Sequence, residues 1–257
     1  MKSLLKKLID LKKIGAVAVK QSLEDEGANF NDLIAMRKIT KKANLKLNVK
    51  IGGCEAINDI MFCSALKVDG IVSPMVESEY GLKKFIQSIP QNYKNKLFVN
   101  LESKNSIKNF DSIVKSNYFK KLSGVVIGRS DLVGSYGFTK EKVDSAFFFN
   151  ILNKNLKKLK KNILIKVGGS VTPKSKEFLS NLYKNNILDS AETRNIEFKM
   201  NEKNLSNFNY ILKKVFEFEI EWLKYKKNNN KEIFGIKLNY NFSKRIKELK
   251  KRNDLFS

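Results

Sequence analysis

Seven short apolar runs, each ending in a polar or glycine-containing turn, constrain the fold of this chain more than any other feature. They are rich in Val, Ile and Leu and begin at residues 17, 47, 70, 97, 124, 163 and 187. The stretches between them show helical periodicity; within residues 56–66, for example, Ile57, Ile60, Met61 and Ala65 fall on one helix face. Apolar strands that alternate with helices indicate a parallel sheet buried on both faces. Seven such units in about 250 residues predict an α/β fold, a (β/α)₈ TIM barrel.

The last part of the predicted barrel is less regular in sequence. Residues 196–198 form a candidate eighth strand, but they follow the seventh run with almost no room for a helix. Residues 205–225 repeat apolar side chains at three- or four-residue steps, which predicts one long helix. We therefore expect a single domain over residues 1–257, with an N-terminal helix (1–15) and a helical C-terminal tail (about 227–257) added around the barrel.

The chain contains no histidine. This excludes Ser-His and Cys-His nucleophilic catalysis, histidine general bases and every histidine-containing zinc site. The two cysteines, Cys54 and Cys63, are too few for a structural zinc site, and we expect both to be reduced thiols in a cytosolic protein. Polar chemistry must therefore come from Asp, Glu, Lys, Arg, backbone amides or a metal ion held by oxygen ligands.

The formal net charge of +24 raises the question of a nucleic-acid or lipid partner. Only five of the 50 basic residues are arginine, the residue that reads bases and clamps phosphates, and the lysines are spread along the whole chain. We interpret most of this charge as a solvated surface and expect no specific nucleic-acid partner. The alternation of Leu and Ile with Lys in residues 1–13 predicts an amphipathic helix rather than a signal peptide, so we expect a cytoplasmic protein without a membrane association.

Charged residues beside glycines follow nearly every predicted strand, where a TIM barrel has its active site. Lys50 ends the second strand, Glu102 ends the fourth, and Asp131 follows the fifth. Carboxylates on neighbouring strands, in a chain without histidine, suit a hard divalent cation such as Mg²⁺, which needs few protein ligands. Structural alternatives stay open: Glu102 could pair with a lysine, and Asp131 could cap the following helix.

One long segment carries a recognisable pattern. Between Leu97 and Phe138 the sequence contains V-N-L-E-S, N-F-D-S-I and G-V-V-I-G-R-S-D-L-V-G-S-Y-G. This segment resembles the centre of the HpcH/HpaI aldolase and citrate lyase β-subunit family, and residues 22–25 and 72–76 are similar to the acidic turn of its citrate-lyase branch and to its third strand. The resemblance, which covers about residues 17–169, implies a TIM barrel of the phosphoenolpyruvate/pyruvate type that cleaves or forms a carbon–carbon bond next to a 2-oxo acid or an acyl-CoA.

The resemblance also implies a metal-dependent mechanism. Glu102 and Asp131 match the residues that bind Mg²⁺ or Mn²⁺ in the family. The metal would chelate a carboxylate and the adjacent carbonyl of the substrate and stabilise the enolate. Backbone amides from Gly128 to Asp131, including that of Ser130, would hold the substrate carboxylate. The expected partner is a small anionic substrate.

Two departures from the family pattern concern residues near the metal. The family's second strand commonly ends in an arginine that stabilises the enolate oxygen, and Lys50 stands at that position here. Lysine keeps the charge but lacks the fork of a guanidinium. The aldolase branch also carries a histidine near the first strand. Since this chain has none, Glu24, Asp25 or Glu26 is expected to take part in proton transfer.

Three further basic residues are candidate substrate ligands. The K-I-G-G pattern that begins at Lys50 is repeated as K-V-G-G from Lys166, which indicates either half-barrel symmetry or coincidence. With symmetry, Lys166 would face Lys50 across the barrel mouth. Arg129 and Arg194 stand out in a chain that otherwise uses lysine, and each is predicted either to clamp a carboxylate or phosphate or to form a structural ion pair.

The leading interpretation is a divalent-metal-dependent carbon–carbon lyase or aldolase, in which Lys50 and Arg129 stabilise the enolate and the carboxylate. One alternative keeps the barrel but has it bind a phosphorylated or sugar-acid ligand as a binding or partner subunit; another is nonspecific binding of polyanions. Because barrels of this family associate and the helix predicted at 205–225 offers an apolar face, we expect a homo-oligomer of three or six chains.

Overall fold

The fold is built around a closed barrel of eight strands. The computed structural model describes residues 1–23, 29–159, 162–229, 232–233, 236–237 and 240–256. The barrel strands are β1 (Ala16–Ser22), β2 (Lys46–Lys50), β3 (Gly70–Ser73), β4 (Lys96–Asn100), β5 (Gly124–Gly128), β6 (Leu164–Gly168), β7 (Ser190–Glu192) and β8 (Ile196–Lys199). Each strand pairs with the next, and β8 closes the ring on β1. The predicted TIM-barrel fold is confirmed.

Helices surround the barrel and follow most of its strands. They are α1 (Lys2–Lys13), α2 (Phe30–Ala43), α3 (Ile57–Ala65), α4 (Glu79–Ser88), α5 (Lys104–Lys108), α6 (Phe110–Lys115), α7 (Arg129–Ser135), α8 (Ala146–Leu156), α9 (Lys176–Lys184), α10 (Glu202–Ser206), α11 (Phe208–Asn229) and α12 (Phe242–Asn253). A short hairpin of β9 (Glu232–Ile233) and β10 (Ile236–Lys237) precedes α12. Within the described ranges, no helix is both long and apolar enough to cross a membrane.

The strands β1 to β7 run parallel, as their apolar character predicts, and β8 does not. It pairs antiparallel with both β7 and β1. The reason is the short connection of residues 193–195, which can form a hairpin turn but cannot contain the crossover helix that a parallel strand needs. The candidate strand at 196–198 is therefore a strand, in the reverse direction. The seventh strand begins at Ser190, three residues after the predicted start.

The long apolar helix predicted at 205–225 is divided into α10 and α11, with Asn207 between them. Its apolar side chains, including Phe208, Leu212 and Trp222, are buried within the chain. The suggestion that this face forms the contact between subunits is therefore wrong, because the chain itself already covers it. The tail helix α12 packs along α11 and buries Phe242 and Leu249.

The two cysteines differ in environment, and neither forms a disulfide. Cys63 on α3 is fully buried, and burial raises the pKa of its thiol to about 12. Cys54 is half-buried, and its Sγ lies 3.4 Å from Oγ of Ser73.

We predict that iodoacetamide at pH 8 modifies Cys54 and leaves Cys63 unreacted in the folded protein. Only the thiolate reacts, and a pKa about four units above the pH leaves roughly one Cys63 thiol in 10⁴ ionised. Mass spectrometry would show one added group per folded chain and two after unfolding in guanidinium chloride. Two groups on the folded chain would contradict the buried position of Cys63.

Candidate active site

A cavity of about 320 Å³ lies at the carboxyl ends of the barrel strands. We call it the mouth cavity. Six of the predicted site residues line it: Lys50, Glu102, Gly128, Ser130, Asp131 and Arg194. Two others, Arg129 and Lys166, do not belong to its lining. Glu24 and Asp25 lie outside the described residues, as does Glu26.

Glu102 is held in place by hydrogen bonds to both of its carboxylate oxygens. It lies two residues beyond β4 and is buried. The backbone N–H of Met75 donates to Oε1 at 3.2 Å, and Nδ2 of Asn100 donates to Oε2 at 2.8 Å. Two donors from neighbouring strand ends fix the side chain in one orientation, as a metal ligand requires.

The electrostatic environment of Glu102 combines two carboxylates with one lysine. Burial raises the pKa of Glu102 above its ordinary value, and the nearby Asp131 raises it further. The positive charge of Lys50 and the hydrogen bond from Asn100 oppose this rise. Asp131 is exposed and lies in the first turn of α7, where the helix dipole favours a negative charge. A second cation at this position would stabilise the ionised pair.

Gly128 provides the space that the Glu102 side chain occupies. A Cβ at position 128 would lie 2.3 Å from Oε2 and 2.9 Å from Cβ of Glu102, which are too close for real atoms. Glycine at the end of β5 is therefore a packing requirement of the neighbouring strand end.

We predict that Gly128→Ala weakens the binding of Mn²⁺ at least about tenfold and lowers the free energy of unfolding by about 1–3 kcal/mol, because Glu102 must leave its hydrogen bonds. Gly134→Ala on α7 is the matched control. No described atom lies within 4 Å of its new methyl group, and alanine favours the helix by about 0.5–1 kcal/mol. Calorimetric titration and thermal melting measure both quantities. Equal metal affinity in the two variants would refute the packing argument.

The first backbone amides of α7 lie close to the backbone of Gly169. Gly169 has φ of 80°, and a Cβ there would lie 2.7 Å from N of Arg129 and 2.5 Å from N of Ser130. Ser130 Oγ also forms a hydrogen bond with Ser170 Oγ at 2.9 Å. Gly169, Ser130 and Ser170 all line the mouth cavity. Backbone N–H groups at the start of a helix can donate to a carboxylate oxygen.

The Arg129 side chain does not line the mouth cavity, and the expectation that it clamps a substrate is not met. Its guanidinium is buried, donates to the carbonyls of Gly168 and Gly169 at 3.1 Å each, and forms an ion pair with Asp144. Its Cζ lies 5.0 Å from the centre of the Phe178 ring. The structural alternative is the one observed: Arg129 ties α7 to the end of β6.

Lys166 also lies elsewhere, inside the barrel near the amino ends of the strands. Its Nζ donates to Oε2 of Glu197 at 2.7 Å and lies 3.8 Å from the centre of the Phe98 ring. The K-x-G-G repeat is not equivalent in structure, since Lys50 is the last residue of β2 whereas Lys166 is the middle residue of β6. Lys166 therefore does not face Lys50 across the mouth.

Several residues of the mouth cavity were not among those predicted. Asn100, the last residue of β4, lines the cavity and lies two residues before Glu102. Lys20 on β1 also lines the cavity and forms an ion pair with the buried Glu192 at the end of β7. The tail helix α12 contributes Arg245 and Arg252. Arginine is rare in this chain, and this rarity singled out Arg129 and Arg194. The same signal could have identified Arg245 and Arg252 as candidates.

The oxygen atoms around Glu102 fit a hard divalent cation. Glu102 and Asp131 supply carboxylates, and Oδ1 of Asn100 is buried without a hydrogen-bond partner among the described residues. No cluster of three or more Asp, Glu, Cys or His is present in the described ranges. Two carboxylates are sufficient for Mg²⁺, which leaves the remaining positions to substrate and water.

Comparisons with known proteins place this chain in a family. The sequence profile of "HpcH/HpaI aldolase/citrate lyase" matches residues 28–165, whereas no curated protein sequence matches the chain. RipC from Yersinia pestis has a similar structure, with 17% identity, a TM-score of 0.51 and coverage of 75% of this chain and 86% of RipC. A variant of the citrate synthase SbnG is similar at 13% identity, with a TM-score of 0.57 and coverage of 88% of this chain and 90% of SbnG. These two likenesses concern the fold alone. Because the profile spans more than half of the sequence, the chain belongs to the HpcH/HpaI aldolase/citrate lyase family of lyase-type enzymes.

Proposed function

We propose that this protein is a divalent-metal-dependent carbon–carbon lyase or aldolase that acts on a 2-oxo acid or an acyl-CoA through a stabilised enolate. The observation that carries the proposal is the arrangement at the mouth cavity. There the buried carboxylate of Glu102, with its raised pKa, lies near Asp131, which follows the neighbouring strand β5, and Lys50, which ends β2. Paired carboxylates with one facing lysine suit a metal ion and a developing negative charge.

The proposed ligands of Mg²⁺ or Mn²⁺ are Glu102 and Asp131. Enzymes of this family generally depend on a divalent metal ion. When bound, the metal supplies Lewis-acid stabilisation of negative charge on a substrate oxygen. Met75 and Asn100 orient the Glu102 carboxylate toward this role through their hydrogen bonds.

The remaining groups orient the substrate and stabilise charge. The backbone amides of Arg129 and Ser130, at the start of α7, are proposed to hold the substrate carboxylate. Lys50 is proposed to place its ammonium near the enolate oxygen, where the charge appears only as the carbon–carbon bond breaks or forms. Glu24 or Asp25, which follow the first strand in the sequence, are proposed to take part in proton transfer.

The charge balance of the mouth cavity supports an anionic substrate. Seven basic side chains and four carboxylates line it within the described part of the chain. Such a concave site with an excess of positive charge attracts anions and raises their local concentration.

A metal-dependent cleavage assay tests the proposal. The purified protein is treated with EDTA, supplemented with Mg²⁺ or Mn²⁺, and incubated with a panel of hydroxylated 2-oxo acids and acyl-CoA thioesters. Release of the 2-oxo acid or acyl-CoA product is followed by coupled assay and mass spectrometry. We expect turnover that requires the metal and disappears in Glu102→Gln. Turnover that persists in EDTA and in Glu102→Gln would overturn the proposal.

A further inference from the structure

Arginine is concentrated at one side of the mouth cavity. The chain has only five arginines, and three of them, Arg194, Arg245 and Arg252, line this cavity. They come from two elements that are distant in sequence, the β7–β8 turn and α12. Three of the seven basic residues that line the cavity are arginine, whereas lysine outnumbers arginine ninefold in the whole chain. The general excess of lysine therefore does not explain this cluster.

The turn that carries Arg194 is held firmly. Glu219 of α11 accepts hydrogen bonds through Oε1 from Oγ1 of Thr193 at 2.6 Å and from N of Asn195 at 2.9 Å. The backbone N–H of Lys20 donates to the carbonyl of Asn195 at 2.8 Å, which ties the turn to β1. Arg194 is thus carried by a turn that is fixed on both sides, so the backbone of this turn loses little entropy when the side chain binds a ligand.

The two tail arginines lie on the packed face of α12. Residues 242, 245, 249 and 252 are spaced at three- and four-residue steps and therefore share one helix face. Phe242 and Leu249 are buried on this face, so the apolar pair anchors the helix and aims Arg245 and Arg252 at the barrel mouth. Both arginines are half-buried.

The arginines are close enough to affect one another. Burial lowers the pKa of Arg252, and the charges of Arg245 and Arg194 lower it further. Glu219 and Glu248 act in the opposite direction; Glu248 is an exposed partner of Arg245 at 3.0 Å. Like charges held this close cost free energy, which a bound anion would offset.

The chemistry of the cluster favours a phosphoryl group over a carboxylate. One guanidinium fork satisfies a carboxylate, whereas a phosphate monoester presents three terminal oxygens and up to two negative charges. Three guanidiniums lining the same cavity carry enough N–H groups for all three oxygens. In the ring of eight strands the β7–β8 turn lies across the mouth from the end of β4, where Glu102 is located.

We propose that Arg194, Arg245 and Arg252 form a phosphate subsite that binds a distal phosphoryl group of the substrate, across the mouth cavity from Glu102 and Asp131. The assignment of this phosphoryl group to the substrate rests on the proposed lyase function, but the binding of phosphate itself does not. The substrate class is accordingly a phosphorylated acid, with the phosphate at the end remote from the reacting carbons.

The test measures binding of inorganic phosphate to the metal-free protein, by calorimetry and by the phosphate-dependent rise in melting temperature, at constant ionic strength. Arg252→Gln is expected to weaken phosphate binding at least about tenfold, since it removes charge-assisted hydrogen bonds. Lys251→Gln is the matched control, because it removes the same charge from an exposed position on the same helix. It is expected to bind phosphate like the wild type.

Two further variants make the result decisive. Arg252→Lys keeps the charge and is expected to retain part of the phosphate affinity. Arg194→Gln, in the β7–β8 turn, is expected to show the same loss of phosphate affinity, which provides the test if Arg252→Gln does not fold. Equal phosphate affinity in wild type, Arg194→Gln and Lys251→Gln would overturn the subsite, as would equal losses in Arg252→Gln and Lys251→Gln. Glu102→Gln is expected to bind phosphate normally, so that failure of the lyase proposal and failure of the phosphate subsite give different results.

Discussion

Glu102→Gln and Asp131→Asn are each expected to weaken the binding of Mg²⁺ and Mn²⁺ by at least about 100-fold while the protein still folds. Each variant removes one of the two proposed carboxylate ligands, and the expected loss exceeds the 10- to 100-fold that is typical of residues outside the ligand set. Calorimetric titration of the EDTA-treated protein with Mn²⁺ measures the affinity, and turnover at saturating metal is expected to be lost as well.

Folding should survive Glu102→Gln for a specific reason. The pKa of Glu102 is raised by burial, which means that folding disfavours its ionised form, so a neutral side chain of the same shape removes an unfavourable charge. Gln keeps an oxygen acceptor for the amide of Met75, and its amide group can pair with the Oδ1 of a rotated Asn100. We expect the metal-free variant to melt at the wild-type temperature or above it.

Glu177→Gln on α9 is the control, since it makes the same substitution at an exposed position on the outside of the barrel. It should leave metal affinity unchanged. Wild-type metal affinity in both Glu102→Gln and Asp131→Asn would show that these carboxylates are not the ligands, and the metal-dependent mechanism would then lose its structural basis.

Lys50→Met is expected to lower kcat and kcat/KM together, on the order of 100-fold or more, as for other groups that stabilise an oxyanion. The ammonium would face oxygen charge that develops only in the transition state, so its loss affects turnover more than substrate binding. Lys50→Arg should retain part of the activity, because the charge remains while its reach changes. Steady-state kinetics at saturating metal measures the effect.

A structural role for Lys50 predicts a different outcome. Its charge lowers the pKa of Glu102, so it could simply neutralise the barrel mouth. In that case Lys50→Met would weaken folding or raise metal affinity, and kcat per metal-bound site would stay near the wild-type value. Lys46→Met, at the opposite end of β2 and exposed, is the control for a lost lysine charge on the same strand. A near-normal kcat in Lys50→Met would refute the catalytic role.

The fold was predictable because its main determinant is local. Apolar runs of strand length, separated by helical periodicity, specify which segments are strands and helices wherever the chain later packs. The same pattern placed Lys50, Glu102 and Asp131 at strand ends, because parallel strands in a barrel all end at one face. The reversed β8 follows from a connection too short for a helix, a feature visible in the sequence but decided by closure of the ring on β1.

Register and long-range pairing were decided only by the tertiary structure. Lys50 and Lys166 stand in nearly identical tetrapeptides, yet one ends its strand and the other lies inside the barrel, because the neighbouring strands set where pairing stops. Arg129 forms an ion pair with Asp144 and donates hydrogen bonds to two carbonyls at the end of β6. No local sequence pattern reveals these partners. Arg245 and Arg252 reach the mouth only because α12 packs back along α11. The local sequence determined which segments are strands and helices and which charged residues follow the strands. Contacts between distant residues determined which of these charged residues line the same cavity.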